Sequence, residues 1–537
     1  MSSEYTCSDA IAEALHESQV THIFGQPGGE VVELMESLHS HDVTFVLTGH
    51  ESAAAFMAGT VGRMTGIPGA CLATLGPGAC NLVLGVASAY LDRDPLLAIS
   101  ARTATSRARI SNKQNLDLNA LFEPVTKWSV VLDGMGTKQT VHDAIDVATA
   151  TPKGPVYLSV ASDMATVADR PDMPGPSPPI LPASTAASFD TIAKALNSSS
   201  RPVGVIGLAM DAIRDTPSVR RFFEETGIPY VITCQGKGIG DPGGQRFLGY
   251  VLPAAGDMHI AEWIATSDCI LGVGFDPVES SKNWHFDTPF YSIANGPVGF
   301  DEFQPTAECT GDVSVLIDQL SVEYRGETVW QDSAIRDLRS RVNGAIMPDS
   351  EATAKGLSPF HLISFLNDLL PANTIVSGDV GAHKNVLGQA WDAPHPNTFL
   401  MSNGLSSMGH GPASAIAASM IFPESPVISI TGDGAFAMMV QELETVRRLG
   451  TAPLFIVLCD ASLSIIKFAQ NLRNLPNRGV DFLPVDWARV AEGFGVRGET
   501  AGDLQGVRDT VEKWLANREP LVLAVPIDES LYIGLRY

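Results

Sequence analysis

The sequence predicts an α/β protein with three domains, each built on a doubly wound parallel sheet. Short apolar runs rich in β-branched residues alternate with segments of helix-forming residues, which is the pattern of strand-helix-strand units. The chain has 537 residues, of which 45% are apolar, and this is ample for several buried sheets. Two shifts in composition, at residues 169–185 and 331–357, divide it into three parts.

A strand followed by a helix of small residues opens the first candidate site. The strand is predicted at Val43 to Thr48, and Glu51 then stands at the start of a helix that continues through Ser52 to Ala58. In such apolar surroundings desolvation raises the pKa of a carboxyl, so the group can hold or share a proton near neutral pH. The alternative is a carboxylate that only stabilises the helix start through the macrodipole.

The middle of the chain predicts a smaller α/β unit. Its strands are predicted at Val203 to Ile206, Tyr230 to Thr233 and Cys269 to Val273. Gly204 to Gly207 is only a partial dinucleotide-binding fingerprint and lacks the GxGxxG spacing, so we assign no nucleotide there. Residues 169–185 are rich in proline and predict an extended linker before this unit.

Two neighbouring strands near the C-terminus each end in an acid. Val427 to Thr431 is a β-branched run that leads into Gly432, Asp433 and Gly434. Residues 438–449 carry helix formers, and the following strand, Pro453 to Leu458, ends at Cys459 and Asp460. Both carboxylates are therefore expected at the edge where open α/β sheets bind their ligands.

These acids have the chemistry of a site for a metal ion that carries a diphosphate. Mg²⁺ or Ca²⁺ needs hard oxygen ligands, and Asp433, Asp460 and a backbone carbonyl near Ser462 supply three. Diphosphate oxygens and water would complete the coordination. A GDG tripeptide alone is more often an ordinary turn, but the order of strand, helix, strand and second acid favours the metal site.

Charge and composition exclude several classes of function. The formal net charge of −25 opposes binding to nucleic acids or anionic membrane surfaces, since both require a basic face. The sequence has no run of 18 uncharged apolar residues and its N-terminus lacks a signal-peptide pattern, so we expect a cytoplasmic protein. Seven cysteines without a CxxC spacing suggest neither a disulfide framework nor a zinc site.

The acidic motif resembles the binding motif for thiamine diphosphate (ThDP), in which GDG is followed about 27 residues later by a second metal ligand. That ligand is usually the second Asn of an Asn-Asn pair, which Cys459-Asp460 replaces here. Blocks typical of the acetolactate synthase group occur at residues 22–29, 76–81 and 121–128. Residues 274–279 and 479–482 resemble the catabolic, flavin-independent acetolactate synthases, so FAD is not expected.

The resemblance implies a division into three domains. These are a pyrimidine-binding domain at residues 1–170, a central domain at 186–330 and a diphosphate- and metal-binding domain at 356–537. The first and third domains of such enzymes are alike in topology. The resemblance also implies a homodimer or homotetramer, because related enzymes complete each active site with a second subunit.

The resemblance assigns roles to individual residues. Glu51 would form a hydrogen bond with the aminopyrimidine ring and relay a proton. Met408 would enforce the bent shape of the cofactor, although a methionine more often serves only to fill the core. The family usually has an aromatic residue or His before the residue that matches Gln114, and this chain has Lys113 there. Lys113 either lines an altered substrate pocket or is a solvated loop lysine. The implied catalytic residues are Glu51, Gln114 and Gly29. The implied cofactor-binding residues are Glu51, Gly381, Ala382, His383, Ser406, Met408, Gly432, Asp433, Gly434, Ala435, Asp460, Ser464 and Ile465. The implied metal ligands are Asp433, Asp460 and Ser462.

The implied reaction is a ThDP- and metal-dependent carboligation. A 2-oxo acid such as pyruvate would lose CO₂, and the remaining carbon unit would add to a second carbonyl compound. A 2-oxo acid decarboxylase or a 2-hydroxyacyl lyase is an alternative on the same scaffold. An inactive ThDP-binding regulatory protein is an alternative of another class, against which the presence of Glu51, Asp433 and Asp460 argues.

Overall fold

The computed structural model describes residues 5–110, 113–180, 188–252, 254–280, 284, 286–297 and 304–535. It contains three six-stranded sheets flanked by helices, and every strand pairing in them is parallel. The predicted class, α/β with three parallel-sheet domains, is therefore confirmed. Within the described residues, no helix combines the length and apolar character that a membrane crossing needs.

The first sheet is formed by the N-terminal part of the chain. Its strands are β1 (His22–Gly25), β2 (Thr44–Leu47), β3 (Gly69–Ala73), β4 (Leu96–Arg102), β5 (Trp128–Leu132) and β6 (Pro155–Ala161). Its helices are α1 (Cys7–Glu17), α2 (Val32–Ser40), α3 (Glu51–Thr65), α4 (Pro77–Asp92), α5 (Leu118–Phe122) and α6 (Thr137–Thr149). The strand order β2-β1-β3-β4-β6-β5 reverses direction between β1 and β3, which makes the carboxyl ends of those strands a switch point for ligands.

The second sheet lies in the central part of the chain. Its strands are β7 (Pro202–Ile206), β8 (Tyr230–Thr233), β9 (Phe247–Val251), β10 (Cys269–Val273), β11 (Phe290–Ala294) and β12 (Ala307–Thr310). Its helices are α7 (Phe189–Ser198), α8 (Thr216–Thr226), α9 (Ala255–Ile264), α10 (Val313–Glu323) and α11 (Asp332–Gly344). The order β12-β11-β10-β7-β8-β9 places its switch point between β7 and β10.

The third sheet repeats the topology of the first. Its strands are β13 (Ile375–Gly378), β14 (Phe399–Met401), β15 (Val427–Gly432), β16 (Leu454–Cys459), β17 (Arg497–Thr500) and β18 (Leu521–Pro526). The helices of this part are α12 (Pro359–Leu369), α13 (Ala382–Ala390), α14 (His410–Ile421), α15 (Asp433–Met439), α16 (Glu442–Leu449), α17 (Ser464–Leu472), α18 (Trp487–Gly493) and α19 (Leu504–Ala516). The order β14-β13-β15-β16-β18-β17 matches the first sheet strand for strand, as the family resemblance implied.

The helix expected at residues 438–449 is found as two shorter ones. α15 begins at Asp433, directly after β15, and α16 begins at Glu442. A tight turn separates them, in which the Leu443 amide donates to the carbonyl of Val440, three residues earlier, at 3.2 Å. An acidic residue in a first helical turn is favourable, which accounts for the early start at Asp433.

Contacts divide the chain into two compact units. The first unit contains Met1–Leu181, Gly404–Phe422 and Met439–Thr451, and therefore includes α14 and α16. The second unit contains Pro182–Asn403, Pro423–Met438 and Ala452–Tyr537, and therefore includes the second and third sheets. The three-domain boundaries remain a prediction. Of the predicted linker at 169–185, residues 181–185 lie outside the described residues, as does the predicted boundary at 186.

Two cationic side chains join the second and third sheets within the second unit. Arg220 donates from Nη2 to the carbonyl of Pro394 at 2.7 Å. Lys237 is 3% exposed, donates to the carbonyl of Trp391 and lies 3.1 Å from the ring centroid of Tyr250. Burial lowers the pKa of Lys237 to about 7. These contacts fix the carboxyl end of α13, whose amino end carries His383.

Candidate cofactor site

Asp433 lies where the sequence predicts it, at the carboxyl end of β15 in the second unit. The register of β15 with β16 pairs Gly432 with Leu458, so Asp433 and Asp460 follow adjacent strands. Asp433 is 4% exposed, and its carboxylate accepts hydrogen bonds from the amides of Gly434 and Ala461, both at 2.8 Å. Main-chain amides therefore hold this carboxylate in place.

Asp460 is fixed by the turn that follows it. Its carboxylate accepts from the amide of Ser462 at 3.1 Å and from the hydroxyl of Ser464. Ala461, between them, has a φ of 53°, a left-handed conformation that is uncommon for alanine. The turn is tied to the segment after it, since the Phe482 amide donates to the Ala461 carbonyl at 3.0 Å.

Both carboxyl groups of this acidic pair are harder to ionise than an ordinary aspartate. Burial is the main cause that raises the pKa of Asp433, and it raises the pKa of Asp460 to about 7 with a further contribution from the Asp433 charge. A divalent cation would offset both effects. The described residues contain no cluster of three or more His, Cys, Asp or Glu side chains placed to hold a metal, so other oxygens would have to complete a coordination sphere.

Ser462 ties the turn to the segment that follows it. Its hydroxyl donates to Oδ1 of Asp481 at 3.0 Å, and Asp481 also accepts from Lys467. The predicted role for the backbone carbonyl of Ser462 stays a prediction. Ile465, predicted to contact the cofactor, packs against the core of the second unit, and Ala435 is buried in α15.

His383 joins this group from the neighbouring strand end. It lies in the first turn of α13, after β13, and Gly381 caps that helix. A Cβ placed on Gly432 would lie 3.3 Å from Cε1 of His383, so the ring faces the turn that carries Asp433. The predicted residues Gly381, Ala382, His383, Gly432 and Asp433 therefore meet at the switch point between β13 and β15.

The environment of His383 is suited to an anion. The ring is 3% exposed, and its Nε2 atom has no hydrogen-bond partner among the described residues. Burial lowers the pKa of His383 to about 4, partly offset by a hydrogen bond to the backbone of Asp379. An anion beside Nε2 would favour the protonated ring, and the positive amino end of the α13 dipole would also attract an anion. A diphosphate therefore fits this position.

Sequence reasoning missed Asp379. This residue is fully buried after β13, and its carboxylate accepts from the hydroxyl of Thr431 at 3.0 Å. It thereby joins β13 to β15 at the switch point. The signal that could have found it is an acid directly after the apolar strand β13 and shortly before the glycine that caps α13.

Glu51 lies in the first unit at the start of α3. His50 caps the helix by accepting from the Ser52 amide at 3.1 Å. The Glu51 carboxylate accepts from the amide group of Asn81 at 2.9 Å, and a Cβ on Gly78 would lie 3.2 Å from its Oε1. The helix behind Glu51 is buried, as expected, but the side chain itself is half-buried because it points to the amino end of α4 rather than into the core.

The other predicted catalytic residues lie around the same helix start. A Cβ on Gly76, which caps α4, would lie 3.1 Å from Cβ of Gln114. Gln114 itself has a φ of 57°, and both it and Lys113 are exposed. Gly29 begins a short 3₁₀ helix after β1, with open space where a side chain would stand.

Gly29 is linked to the Glu51 region by Thr74, the residue that follows β3. Glu30, next to Gly29, accepts from the hydroxyl of Thr74 at 2.7 Å. Thr74 in turn lies 3.0 Å from a Cβ placed on Gly78. The three predicted catalytic residues thus belong to one region at the switch point of the first sheet.

Ser406 and Met408 belong to the first unit, in the loop between β14 and α14. The loop is held by Asp92, at the end of α4, which accepts from the Gly404 amide at 2.7 Å. Ser406 has a φ of 55°, and Met408 is half-buried. Their predicted contact with a pyrimidine ring stays a prediction.

Three families match this chain in order. The N-terminal TPP binding domain of thiamine pyrophosphate enzymes matches residues 5–121, the central domain of these enzymes matches residues 189–320, and their C-terminal TPP binding domain matches residues 379–525. Asp433 and Asp460 fall within the last match, and Glu51 and Gln114 within the first.

Relatives match over nearly the whole length. The acetolactate synthase of Bacillus subtilis (strain 168) is 28% identical over 551 residues, covering 98% of this chain and 94% of that protein. The catabolic acetolactate synthase of Raoultella terrigena is 26% identical, covering 97% and 95%. The chloroplastic acetolactate synthase 3 of Brassica napus is 30% identical, covering 82% and 70%. The chain therefore belongs to the thiamine pyrophosphate enzymes, within the acetolactate synthase group.

Proposed function

We propose that this enzyme decarboxylates a 2-oxo acid such as pyruvate and joins the remaining carbon unit to a second carbonyl compound. The observation that carries the proposal is the presence in one chain of the Asp433 and Asp460 pair, beside the anion-compatible His383, and of Glu51 at a helix start. The names of the relatives, which are acetolactate synthases, agree with this reaction.

The proposed roles follow from the contacts of each side chain. Bound ThDP supplies an electron sink for the carbon-carbon bond that breaks. Glu51 would hold or give up a proton at its carboxyl group, and Asn81 orients that group through its hydrogen bond of 2.9 Å. His383 and the first amides of α13 would hold the diphosphate, and Asp433 and Asp460 would hold the metal.

We propose Mg²⁺, or Ca²⁺ in its place, as the bridging ion. Two carboxylates repel a diphosphate unless a cation lies between them. Titration calorimetry of ThDP into chelator-treated protein, with and without added Mg²⁺, tests this requirement. Equal affinity under both conditions would refute the metal assignment.

We propose that the reaction needs no FAD, and the second sheet supports this. At its switch point Glu279 accepts from the amide of Leu208 at 2.9 Å and is 3% exposed. The carboxylate of Glu279 therefore already binds the Leu208 amide, which follows β7. In a dinucleotide-binding domain an amide at this place would be available to a phosphate. The absorbance spectrum of the purified protein tests this directly, since bound flavin would colour it yellow.

We also propose that the enzyme is a cytoplasmic homodimer or homotetramer. The support is the family resemblance, in which the glutamate of one subunit serves a cofactor held by the metal site of another. Native mass spectrometry of the holoenzyme measures the assembly. A monomer with full activity would contradict the proposal.

Product analysis separates the proposed carboligase from its alternative. With pyruvate alone, a carboligase releases CO₂ and forms a carbon-carbon product, whereas a decarboxylase releases CO₂ and the free aldehyde. Lys113 stands where the family usually has an aromatic residue or His, so the identity of the acceptor substrate does not follow from the family. The assay therefore includes a panel of 2-oxo acids and aldehydes. Release of aldehyde as the sole product would establish the decarboxylase.

A further inference from the structure

The turn that carries Glu51 is held by side chains from elsewhere in the first unit. Gln26 donates to the carbonyl of Thr48 at 2.6 Å. Arg448 donates from Nη2 to the carbonyl of Leu47 at 2.7 Å, and Glu442 accepts from the amide of Gly49 at 2.9 Å. Side chains therefore bind the main chain at three consecutive residues before the helix start.

Two of these contacts come from one helix, α16. Glu442 and Arg448 stand six residues apart near its opposite ends, and they bind either side of the turn. Glu442 is 1% exposed and also accepts from the hydroxyl of Thr445 at 2.8 Å. Arg448 is more exposed and is paired with Glu444 on the surface.

The contact between Glu442 and Gly49 is unusually close. A Cβ placed on Gly49 would lie 2.9 Å from Oε1 of Glu442 and 2.6 Å from Cγ of Gln441. Oε1 has no hydrogen-bond partner among the described residues. The carboxyl of Glu442 is therefore packed tightly against the turn before Glu51.

Burial raises the pKa of Glu442, and the amides of Gly49 and His50 act in the opposite direction. The carboxyl thus faces the amino end of α3, where the helix dipole favours a negative group. His50 is the other titratable group that faces it. The arrangement binds the residues before Glu51 without touching its carboxylate.

We propose that Glu442 and Arg448 are positioning residues that fix the turn at residues 47–50, so that Glu51 is presented from a rigid helix start. The inference rests on the proposed role of Glu51 in activating ThDP. A displacement of about 1 Å in a reacting group is enough to lower a rate by roughly 100-fold, so such a clamp has a measurable consequence.

The test compares Glu442 with an exposed carboxylate that is not part of the clamp. Glu442→Ala removes the acceptor for the Gly49 amide, Glu442→Gln retains one, and Glu225→Gln changes an exposed carboxylate of α8, in the second unit. We expect Glu442→Ala to slow exchange of the ThDP C2 proton by about 10- to 100-fold, with ThDP affinity changed less than about threefold. Glu442→Gln should restore most of the rate, and Glu225→Gln should match wild type.

A second measurement needs no cofactor. Amide hydrogen exchange of the segment around residues 47–52 in the apoprotein should be faster in Glu442→Ala than in Glu225→Gln. If Glu442→Ala fails to fold, Arg448→Met removes the contact to Leu47 from the surface and should show the same change to a smaller degree.

The outcomes separate this inference from the proposed function. If Glu51→Gln slows C2 exchange but Glu442→Ala and Arg448→Met leave both C2 exchange and local amide exchange at wild-type rates, the clamp is refuted and the function stands. If wild-type protein itself does not accelerate C2 exchange, the proposed function fails. Equal losses in Glu442→Ala and Glu225→Gln would also refute the clamp.

Discussion

The Asp433 region and the Glu51 region both hold carboxylates in place, but with different parts of the chain. Asp433 and Asp460 are bound by the amides of Gly434, Ala461 and Ser462, all within the same two turns. Glu51 is bound by Asn81, and the turn before it by Glu442, which is 393 residues away from Gly49. The first region is held mainly by nearby main-chain amides, together with the hydroxyl of Ser464, and the second region is held by distant side chains.

This difference indicates which of the two regions tolerates substitution of its neighbours. Main-chain donors persist through most substitutions, so the acidic pair should depend mainly on its own two side chains. Side-chain donors can be lost one at a time, so the Glu51 region should be sensitive to residues that contact no ligand. The following substitutions test the contrast in order of expected effect.

The largest effect is expected for Asp433→Ala. Removing one of two carboxylates should weaken ThDP binding in the presence of Mg²⁺ by about 100-fold or more, because outer contacts alone already alter metal affinity by about 10- to 100-fold. Titration calorimetry measures it. Asp460→Asn is the matched control, since it restores the ligand usual in the family and should retain affinity within about tenfold. Wild-type affinity in Asp433→Ala would contradict the assignment.

Glu51→Gln should change rate but not binding. The amide keeps the size of the side chain and loses the proton, so exchange of the ThDP C2 proton should slow by about 10²- to 10⁴-fold while ThDP affinity stays near wild type. Exchange is followed by NMR after acid quench. An unchanged rate would leave Glu51 as a carboxylate that only stabilises the start of α3.

A smaller effect on the same rate is expected for Asn81→Leu. The substitution removes the donor at 2.9 Å from Glu51 and keeps a similar volume. A hydrogen bond to a charged group contributes about 1.5 to 3 kcal/mol, of which partial replacement by water leaves a loss of roughly tenfold in C2 exchange. Cys80→Ser, at the exposed neighbouring position of α4, is the control. A rate equal to that control would show that Asn81 does not orient Glu51.

The smallest effect is a difference in pH response at His383. Because burial lowers its pKa to about 4, from an ordinary value of 6.5, the folded apoprotein resists protonation. Stability from the neutral ring is present above pH 6.5 and is lost as the pH falls toward 4. His383→Gln has no ring to protonate, so its thermal midpoint should fall less steeply over that interval. Parallel curves for both proteins would contradict a buried neutral ring.

The sequence predicted the position of the acidic pair because the information needed for it is local. Asp433 and Asp460 sit at the ends of two apolar runs separated by one helix, and strand-helix-strand order places such ends side by side. The same reasoning gave the helix start at Glu51. The left-handed backbone at Ala461 was not predictable, because alanine is not a turn signal.

The partners of Glu51 were not predictable for a physical reason. Asn81 lies 30 residues away on another helix, and Glu442 comes from a segment assigned by sequence to a different domain. No periodicity or spacing within either segment predicts these two contacts. They depend on how α4 and α16 pack in the first unit. The half-buried state of the Glu51 side chain was missed for the same reason, since an apolar helix does not specify what covers its first residue.

The matching strand orders of the first and third sheets make their positions directly comparable. The first sheet changes direction between β1 and β3, and the third sheet changes direction at the equivalent place, between β13 and β15. Equivalent strands then become equivalent positions: β2 is followed by Glu51, and β14 by Ser406 and Met408. One connectivity therefore carries different residues after equivalent strands, so the order of the strands does not dictate the chemistry of the loops that follow them.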